Sequence, residues 1–189
     1  MVVGAPFNDG NYAKVYEFDG TDWNQLGSTI NGEAIGDRFG WQVAIDADGS
    51  TIAVCAPYND GNGADAGHVR VFNYDGSDWV QLGADIDSEA AGDMDGFGGV
   101  DLSSDGMRVA VGAPYNDGNG VDAGHIRVFE YDGSDWIQLG NDLDGPAAES
   151  FTGYRVSLSN DGSRVTVGSP DLDTSNGFQS GLLGVYEYD

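Results

Sequence analysis

Residues 37–72 read DRFGWQVAIDADGSTIAVCAPYNDGNGADAGHVRVF and contain most of a unit that recurs along the chain. The segment AVCAPYNDGN from Ala53 returns as AVGAPYNDGN from Ala110, as VVGAPFNDGN from Val2 and, less closely, as TVGSPDLDTS from Thr166. The prolines of these copies lie 51, 57 and 56 residues apart, at Pro6, Pro57, Pro114 and Pro170. A fixed period of this length is typical of repeat architectures such as propellers.

Two further landmarks keep the same register. The first is YEFDGTDWNQLG from Tyr16, FNYDGSDWVQLG from Phe72 and FEYDGSDWIQLG from Phe129. The second is the turn segment IDADGSTIAV from Ile45, LSSDGMRVAV from Leu102 and LSNDGSRVTV from Leu158. Because three landmarks recur in a fixed order, each period is read as one structural unit.

Each unit predicts four short β-strands, since runs rich in Val, Ile, Tyr, Phe and Trp alternate with Asp, Asn and Gly clusters. In the best-formed unit we predict strands A, B, C and D at about 40–46, 51–56, 67–74 and 78–83. The short A-to-B and C-to-D connections contain Asp-Gly, which suits hairpin turns. Strands B and C are almost continuously apolar, as expected for a sheet covered on both faces. The predicted fold class is all-β, a β-propeller of four-stranded antiparallel blades.

We predict one propeller segment over residues 1–189, with a partial blade at 2–39, whole blades at 40–96 and 97–152, and a partial blade at 153–189. About 3.5 blades and fourteen strands are therefore expected. Three hypotheses account for an incomplete ring: a segment of a longer protein, a ring completed by self-association of two chains, or a closed ring of four blades. Native mass spectrometry would separate a lone monomer from a two-chain ring.

The repeat resembles the FG-GAP repeat of integrin α-subunit propellers. The matching motifs are Phe39-Gly40 with Cys55-Ala56-Pro57, Phe97-Gly98 with Gly112-Ala113-Pro114, and Gly153-Tyr154 with Gly168-Ser169-Pro170. The resemblance implies a propeller, usually of seven blades, that serves in adhesion or ligand binding at the cell surface or outside the cell. It also implies calcium in an A-to-B loop of the form DxDxDG. Here that loop shrinks to residues 46–49, 103–106 and 159–162, which leaves too few oxygen ligands.

The long B-to-C loops are the remaining candidates for calcium. They read NDGNGAD at 59–65 and NDGNGVD at 116–122, where carboxylate and amide oxygens alternate with glycine. The candidate ligands are Asn59, Asp60, Asn62, Asp65, Asn116, Asp117, Asn119 and Asp122. The alternative is that these residues only form backbone turns. Calcium is the one cofactor that the sequence suggests.

The charge of the chain restricts its partners. Seven Lys and Arg face 32 Asp and Glu, a net charge of −25, so the chain would repel nucleic acid. The same charge also suits a merely solvated acidic surface. No apolar run is long enough to cross a bilayer, and residues after Met1 carry no export signal. A cell-surface or extracellular location is expected from the resemblance alone.

No catalytic motif is recognisable, and the sequence predicts that the chain is not an enzyme. The two histidines, His68 and His125, share one repeat position, which favours a packing role. Cys55 lies within a strand and is expected to be a buried small side chain. Trp23, Trp79 and Trp136 recur at the start of strand D and are expected to pack between blades, although a platform for a sugar remains an alternative.

The predicted function is an interaction or adhesion module that binds a protein or matrix partner. The B-to-C and D-to-A loops of an up-and-down blade emerge on one face, and here they are the long, acidic loops. One alternative is a calcium-assisted carbohydrate-binding propeller, which a chelator-sensitive glycan signal would favour. Another is an accessory domain of a larger secreted protein.

Overall fold

The computed structural model describes residues 1–7, 10–172, 177 and 179–188. These residues form sixteen β-strands in four antiparallel sheets. Blade 1 contains β1 (Val2–Ala5), β2 (Tyr12–Phe18) and β3 (Trp23–Asn31). Blade 2 contains β4 (Val43–Ile45), β5 (Thr51–Ala56), β6 (His68–Tyr74), β7 (Trp79–Gln81) and β8 (Ile86–Asp87). Blade 3 contains β9 (Val100–Leu102), β10 (Arg108–Ala113), β11 (His125–Tyr131), β12 (Trp136–Gln138) and β13 (Leu143–Asp144). Blade 4 contains β14 (Arg155–Leu158), β15 (Arg164–Ser169) and β16 (Leu182–Glu187).

Strands that follow each other in the sequence are neighbours in every sheet, except that β8 pairs with β6 and β13 pairs with β11. Strand B of blade 2 has the predicted bounds, Thr51–Ala56, whereas strand A is shorter than predicted, at Val43–Ile45. The described residues contain no helix, and hence none that could span a membrane. The prediction of an all-β propeller with antiparallel blades is confirmed.

Each inner blade is covered on both faces, and strand β5 shows how. All six residues of β5 are buried. Ile52 and Val54 point into an apolar cluster shared with blade 1, while Ala53 and Cys55 point into a cluster shared with blade 3. Successive side chains of a strand point to opposite faces, so this alternation is what a sheet packed between two neighbours requires. Cys55 is fully buried, as predicted.

Strand D is broken in the two whole blades, which corrects the predicted count of fourteen strands. Both β7 and β8 pair with β6, and residues 82–85 leave the ladder between them. Gly83 has a φ of +73°, which ends the extended conformation. A Cβ at Gly83 would lie 2.9 Å from the indole of Trp136 in blade 3, so glycine lets the next blade approach.

The structure also corrects the register of the Phe-Gly motif. The N–H groups of Gly40, Gly96 and Gly153 donate to the carbonyl oxygens of Cys55, Gly112 and Gly168 at 2.9, 3.0 and 3.2 Å. Asp95-Gly96 is therefore the counterpart of Phe39-Gly40, and the Phe97-Gly98 and Gly153-Tyr154 assignments are wrong. All three glycines have φ between +78° and +93°, and this backbone requirement, not the aromatic residue, fixes the register.

The repeated tryptophans pack as predicted in two of three blades. Trp79 and Trp136 are 9% and 8% exposed, and their indole N–H groups donate to the Leu26 and Leu82 carbonyl oxygens of the preceding blade at 2.9 and 2.7 Å. Trp23 is 53% exposed, and its ring lies against Phe18 of the same blade with the centroids 5.3 Å apart. For Trp23 packing between blades stays a prediction.

Candidate functional site

The B-to-C loops of blades 2 and 3 and the D-to-A loops beside them meet on one face, here called the loop face. Two side chains of the B-to-C loop of blade 2 join it to the loops on either side. Asn59 Nδ2 donates to Asp37 Oδ2 of the preceding D-to-A loop at 2.9 Å, and Asn62 Nδ2 donates to the Ser88 carbonyl oxygen of the following one at 2.6 Å. Asn116 and Asn119 make the equivalent contacts in blade 3. These bonds hold the loop face as one continuous surface.

The eight predicted calcium ligands lie on this face. Asp60 Oδ1 accepts the N–H of Asp65 at 2.9 Å, and Asp117 Oδ1 accepts that of Asp122 at the same distance. Asn59 Oδ1 and Asn116 Oδ1 each accept the N–H two residues on, as in an Asx turn. Burial, with smaller effects from Asp117 and Glu149, raises the pKa of Asp122. The loops thus use these oxygens in their own folding, and calcium binding there stays a prediction.

An aromatic band crosses the loop face from blade 1 to the loop before blade 4. We define it as Phe7, Trp41, Tyr58, Phe97, Tyr115 and Phe151. Centroids of neighbouring rings lie 5.7 Å apart for Phe7 and Trp41, 5.0 Å for Trp41 and Phe97, 5.1 Å for Phe97 and Tyr115, and 5.8 Å for Tyr115 and Phe151. Tyr58 meets both Trp41 and Phe97 edge-on. Offset and edge-on pairs at these distances are favourable, so the band is a continuous array.

The repeat places the band. Trp41 and Phe97 each follow a glycine of positive φ shortly before strand A, and Tyr58 and Tyr115 each follow the proline that comes directly after strand B. The Trp41 indole N–H donates to the Phe97 carbonyl oxygen at 3.0 Å and ties blade 2 to blade 3. The sequence analysis missed this band. The signal was the recurrence of an aromatic residue directly after each of these landmarks.

Two clefts open along the band. One of about 380 Å³ is lined by Phe7, Trp41 and Tyr58 together with Asp60 and Asp65, whose side chains are exposed. The other, of about 310 Å³, lies between Phe7, Trp41, Phe97, Tyr154 and Arg155. The first cleft therefore combines ring faces with carboxylates, an arrangement that suits a cation or a sugar.

Two groups of histidine and carboxylate side chains also form, one in each whole blade. Among the described residues, the groups close enough to share one metal ion are Glu33, His68 and Asp85, and Glu89, His125 and Asp142. In each group the three donor atoms lie within 4.8 Å of one another. The broken strand D produces this arrangement, because Asp85 and Asp142 lie in the stretches that leave the ladder.

Both histidines are buried, at 2% and 1% exposure. His68 Nδ1 lies 3.6 Å from Asp85 Oδ2, and His125 Nδ1 lies 3.9 Å from Asp142 Oδ2. Burial lowers the pKa of His68, and Asp85 partly opposes this effect. The Nε2 atoms of both rings have no hydrogen-bond partner in the described part of the chain. The sequence analysis gave these histidines a packing role, and their carboxylate neighbours became visible only in the fold.

Comparison with known proteins supports the fold. Residues 30–72 match the FG-GAP repeat family. No curated protein matched the sequence. A solved structure of the periplasmic gluconolactonase PpgL of Pseudomonas aeruginosa is similar over 99% of this chain, with 17% identity and a TM-score of 0.59. A candidate 6-phosphogluconolactonase of Bacteroides uniformis ATCC 8492 is similar over 96%, with 13% identity and a TM-score of 0.57. The chain spans about half of each, 49% in both cases.

These neighbours correct the prediction that the chain is not an enzyme. Both are named as lactonases, so enzymes use a fold similar to this one. A missing catalytic motif therefore does not exclude catalysis, since function depends on residues placed on a fold. At 13–17% identity the likeness concerns the fold itself. Residues 30–72 match the FG-GAP repeat family, and the chain as a whole has the β-propeller fold.

Proposed function

We propose that this propeller module binds a protein partner, and that the aromatic band on the loop face contacts a partner segment rich in lysine or arginine. The observation that carries the proposal is the cleft in which Phe7, Trp41 and Tyr58 adjoin Asp60 and Asp65. Aromatic faces attract cations by about 0.5–2 kcal/mol for each contact, depending on desolvation. Nearby carboxylates add to this attraction.

The band already holds one cation. The Arg38 guanidinium carbon lies 4.6 Å from the centroid of the Phe7 ring, at the edge of the 380 Å³ cleft. A partner arginine could stack on the neighbouring rings in the same way. The net charge of −25 would also steer a basic segment toward the chain at low ionic strength.

Adhesion outside the cell is part of this proposal. The FG-GAP repeat at residues 30–72 supports it, as does the periplasmic location named for the similar gluconolactonase. A partner protein in the matrix or on another cell is the corresponding ligand. A glycan is the competing ligand, because the same rings could stack on sugars.

Replacing Trp41 with alanine should weaken binding of a basic peptide about tenfold or more, because the central ring of the band is lost and a well-placed cation–π contact contributes up to about 2 kcal/mol. Isothermal titration with an arginine-rich decapeptide, at low and physiological salt, measures this change. Phe18→Ala is the matched control, since Phe18 is 51% exposed at the C-to-D end of blade 1, away from the band. Equal loss in both variants, or peptide binding by neither wild type nor variants, would contradict the proposal. Glycan binding lost with a chelator would instead favour the carbohydrate alternative.

Calcium at the B-to-C loops is the second part of the proposal. Because Asp60 and Asp117 already accept backbone hydrogen bonds, we expect calcium to bind weakly and to bind less when both are changed to asparagine. Calorimetric titration with calcium chloride checks this expectation. Neither heat nor a thermal shift at millimolar calcium would remove calcium from the proposal.

The lactonase-like fold calls for an activity assay of the same protein. An assay of gluconolactone hydrolysis, in which the released protons are the recorded signal, would measure catalysis directly. Loss of that hydrolysis in a His68→Asn, His125→Asn double variant would assign it to the histidine groups. Retention would assign it to other residues.

A further inference from the structure

We propose that Glu33, His68 and Asp85, and equivalently Glu89, His125 and Asp142, form two sites for a divalent transition metal such as zinc. Each site would join the D-to-A loop, which supplies the glutamate, to the following blade, which supplies the histidine and the aspartate. These sites are separate from the asparagine and aspartate loops considered for calcium, and they do not depend on the proposed partner.

The spacing of the donor atoms fits an ion better than a hydrogen bond. The nitrogen-to-oxygen distances of 3.6 and 3.9 Å exceed those of a hydrogen bond. Two ligands about 2.1 Å from a zinc ion are about 3.4 Å apart in tetrahedral geometry. The histidine and aspartate in each group are thus within about 0.5 Å of that separation. Glu33 and Glu89 are exposed, so their side chains can adjust to complete the site.

The imidazoles have no other evident polar role. Each ring is buried, and its Nε2 has no hydrogen-bond partner among the residues described. A buried polar atom without a partner destabilises the folded state unless something compensates. A metal held by Nδ1, the ring atom that faces the aspartate, would give each buried imidazole one polar partner, while Nε2 would stay without a partner among the described residues.

The three ligand types occur together within the repeats. In blade 1, Tyr12 replaces the histidine and Thr29 replaces the aspartate. Before blade 4, Pro146 replaces the glutamate, and within that blade Leu182 replaces the histidine. If the histidine had only a packing role, its occurrence in a blade would not depend on a glutamate in the preceding loop. Residues that bind the same metal ion are expected to be replaced together from one repeat to the next.

The donor set indicates the class of metal. Imidazole suits zinc, copper and nickel, whereas calcium and magnesium prefer oxygen ligands. A histidine and two carboxylates leave a fourth position open for water or for a ligand atom. Zinc is therefore the probe of choice, and calcium should not displace it.

Isothermal titration of chelator-treated protein with zinc chloride tests the proposal. We expect two zinc ions for each chain, one in His68→Asn or Glu33→Gln, and none in the Glu33→Gln, Glu89→Gln double variant. The glutamate variants keep the test decisive if a histidine variant fails to fold, because both glutamates are exposed. Asp60→Asn, Asp117→Asn is the matched control and should still bind two zinc ions, also in excess calcium. X-ray absorption should show nitrogen and oxygen neighbours at about 2.0–2.2 Å.

Three results would overturn the proposal. One is the absence of zinc binding by the wild-type chain. Another is zinc binding that survives the double glutamate variant unchanged, which would show adsorption to the acidic surface. The third is displacement of zinc by millimolar calcium, which would indicate an all-oxygen site.

Discussion

Replacing Trp136 with alanine is expected to lower the free energy of unfolding by about 3–5 kcal/mol. The ring is 8% exposed in the cluster between blades 2 and 3, and its indole N–H donates to the Leu82 carbonyl oxygen at 2.7 Å. Truncation would leave a large cavity and remove that hydrogen bond. Urea denaturation of the wild type and the variant measures the difference.

The chain contains its own control for this prediction. Trp23 occupies the same repeat position but is 53% exposed. Trp23→Ala should therefore change the free energy of unfolding by about 1 kcal/mol or less, because little area is returned to water. An equal loss in both variants would mean that this position stabilises a blade by itself and not through its neighbour.

Asp95→Ala should be nearly as harmful, lowering the free energy of unfolding by about 3–5 kcal/mol. Asp95 is fully buried and forms an ion pair with Arg127, which is 6% exposed. Removing the carboxylate leaves a buried guanidinium without its counter-charge, and Arg127 Nε already has no hydrogen-bond partner among the described residues. Burial raises the pKa of Asp95 and Arg127 opposes this effect, so the two groups depend on each other.

The double variant Asp95→Ala, Arg127→Met distinguishes the contribution of the ion pair to stability from the contribution of side-chain packing. It should recover most of the stability lost in Asp95→Ala, because apolar residues can replace a buried pair at little cost. Urea denaturation of the wild type, of the single variants Asp95→Ala and Arg127→Met, and of the double variant gives the coupling free energy between the two side chains. A double variant less stable than Asp95→Ala would show that the two side chains act independently.

The position of Asp95 in its blade could not be predicted from the sequence. In blade 2 the equivalent residue is Phe39, fully buried, with the Arg70 guanidinium carbon 5.6 Å from its ring centroid. Blade 3 replaces this ring with a carboxylate that pairs with Arg127, the counterpart of Arg70. Phe97 lies two residues after Asp95 and is itself followed by a glycine, so the pair Phe97-Gly98 matches the Phe-Gly motif in the sequence. The motif was therefore assigned to the wrong register.

The aromatic band and the histidine groups were hidden for a related reason. Their members are separated in the sequence by one or more loops, or lie in different repeats. His68 and Asp85 come together only because strand D leaves its ladder at residues 82–85. The break lies at Gly83 in blade 2 and Gly140 in blade 3, whose φ angles are +73° and +69°, and the sequence does not show which side chains the break turns toward the histidine.

The sequence by itself determined the repeat, the four-strand unit and the all-β propeller class. Hairpin turns at Asp-Gly and the burial of strands B and C follow from short-range conformational preference and from side-chain alternation, both of which one repeat contains. Only the tertiary structure decided which glycine precedes strand A at the equivalent place in each blade, which tryptophans are buried, and which acidic side chains face a histidine. Those outcomes depend on contacts between blades, because neighbouring sheets supply the atoms that fill or crowd each position.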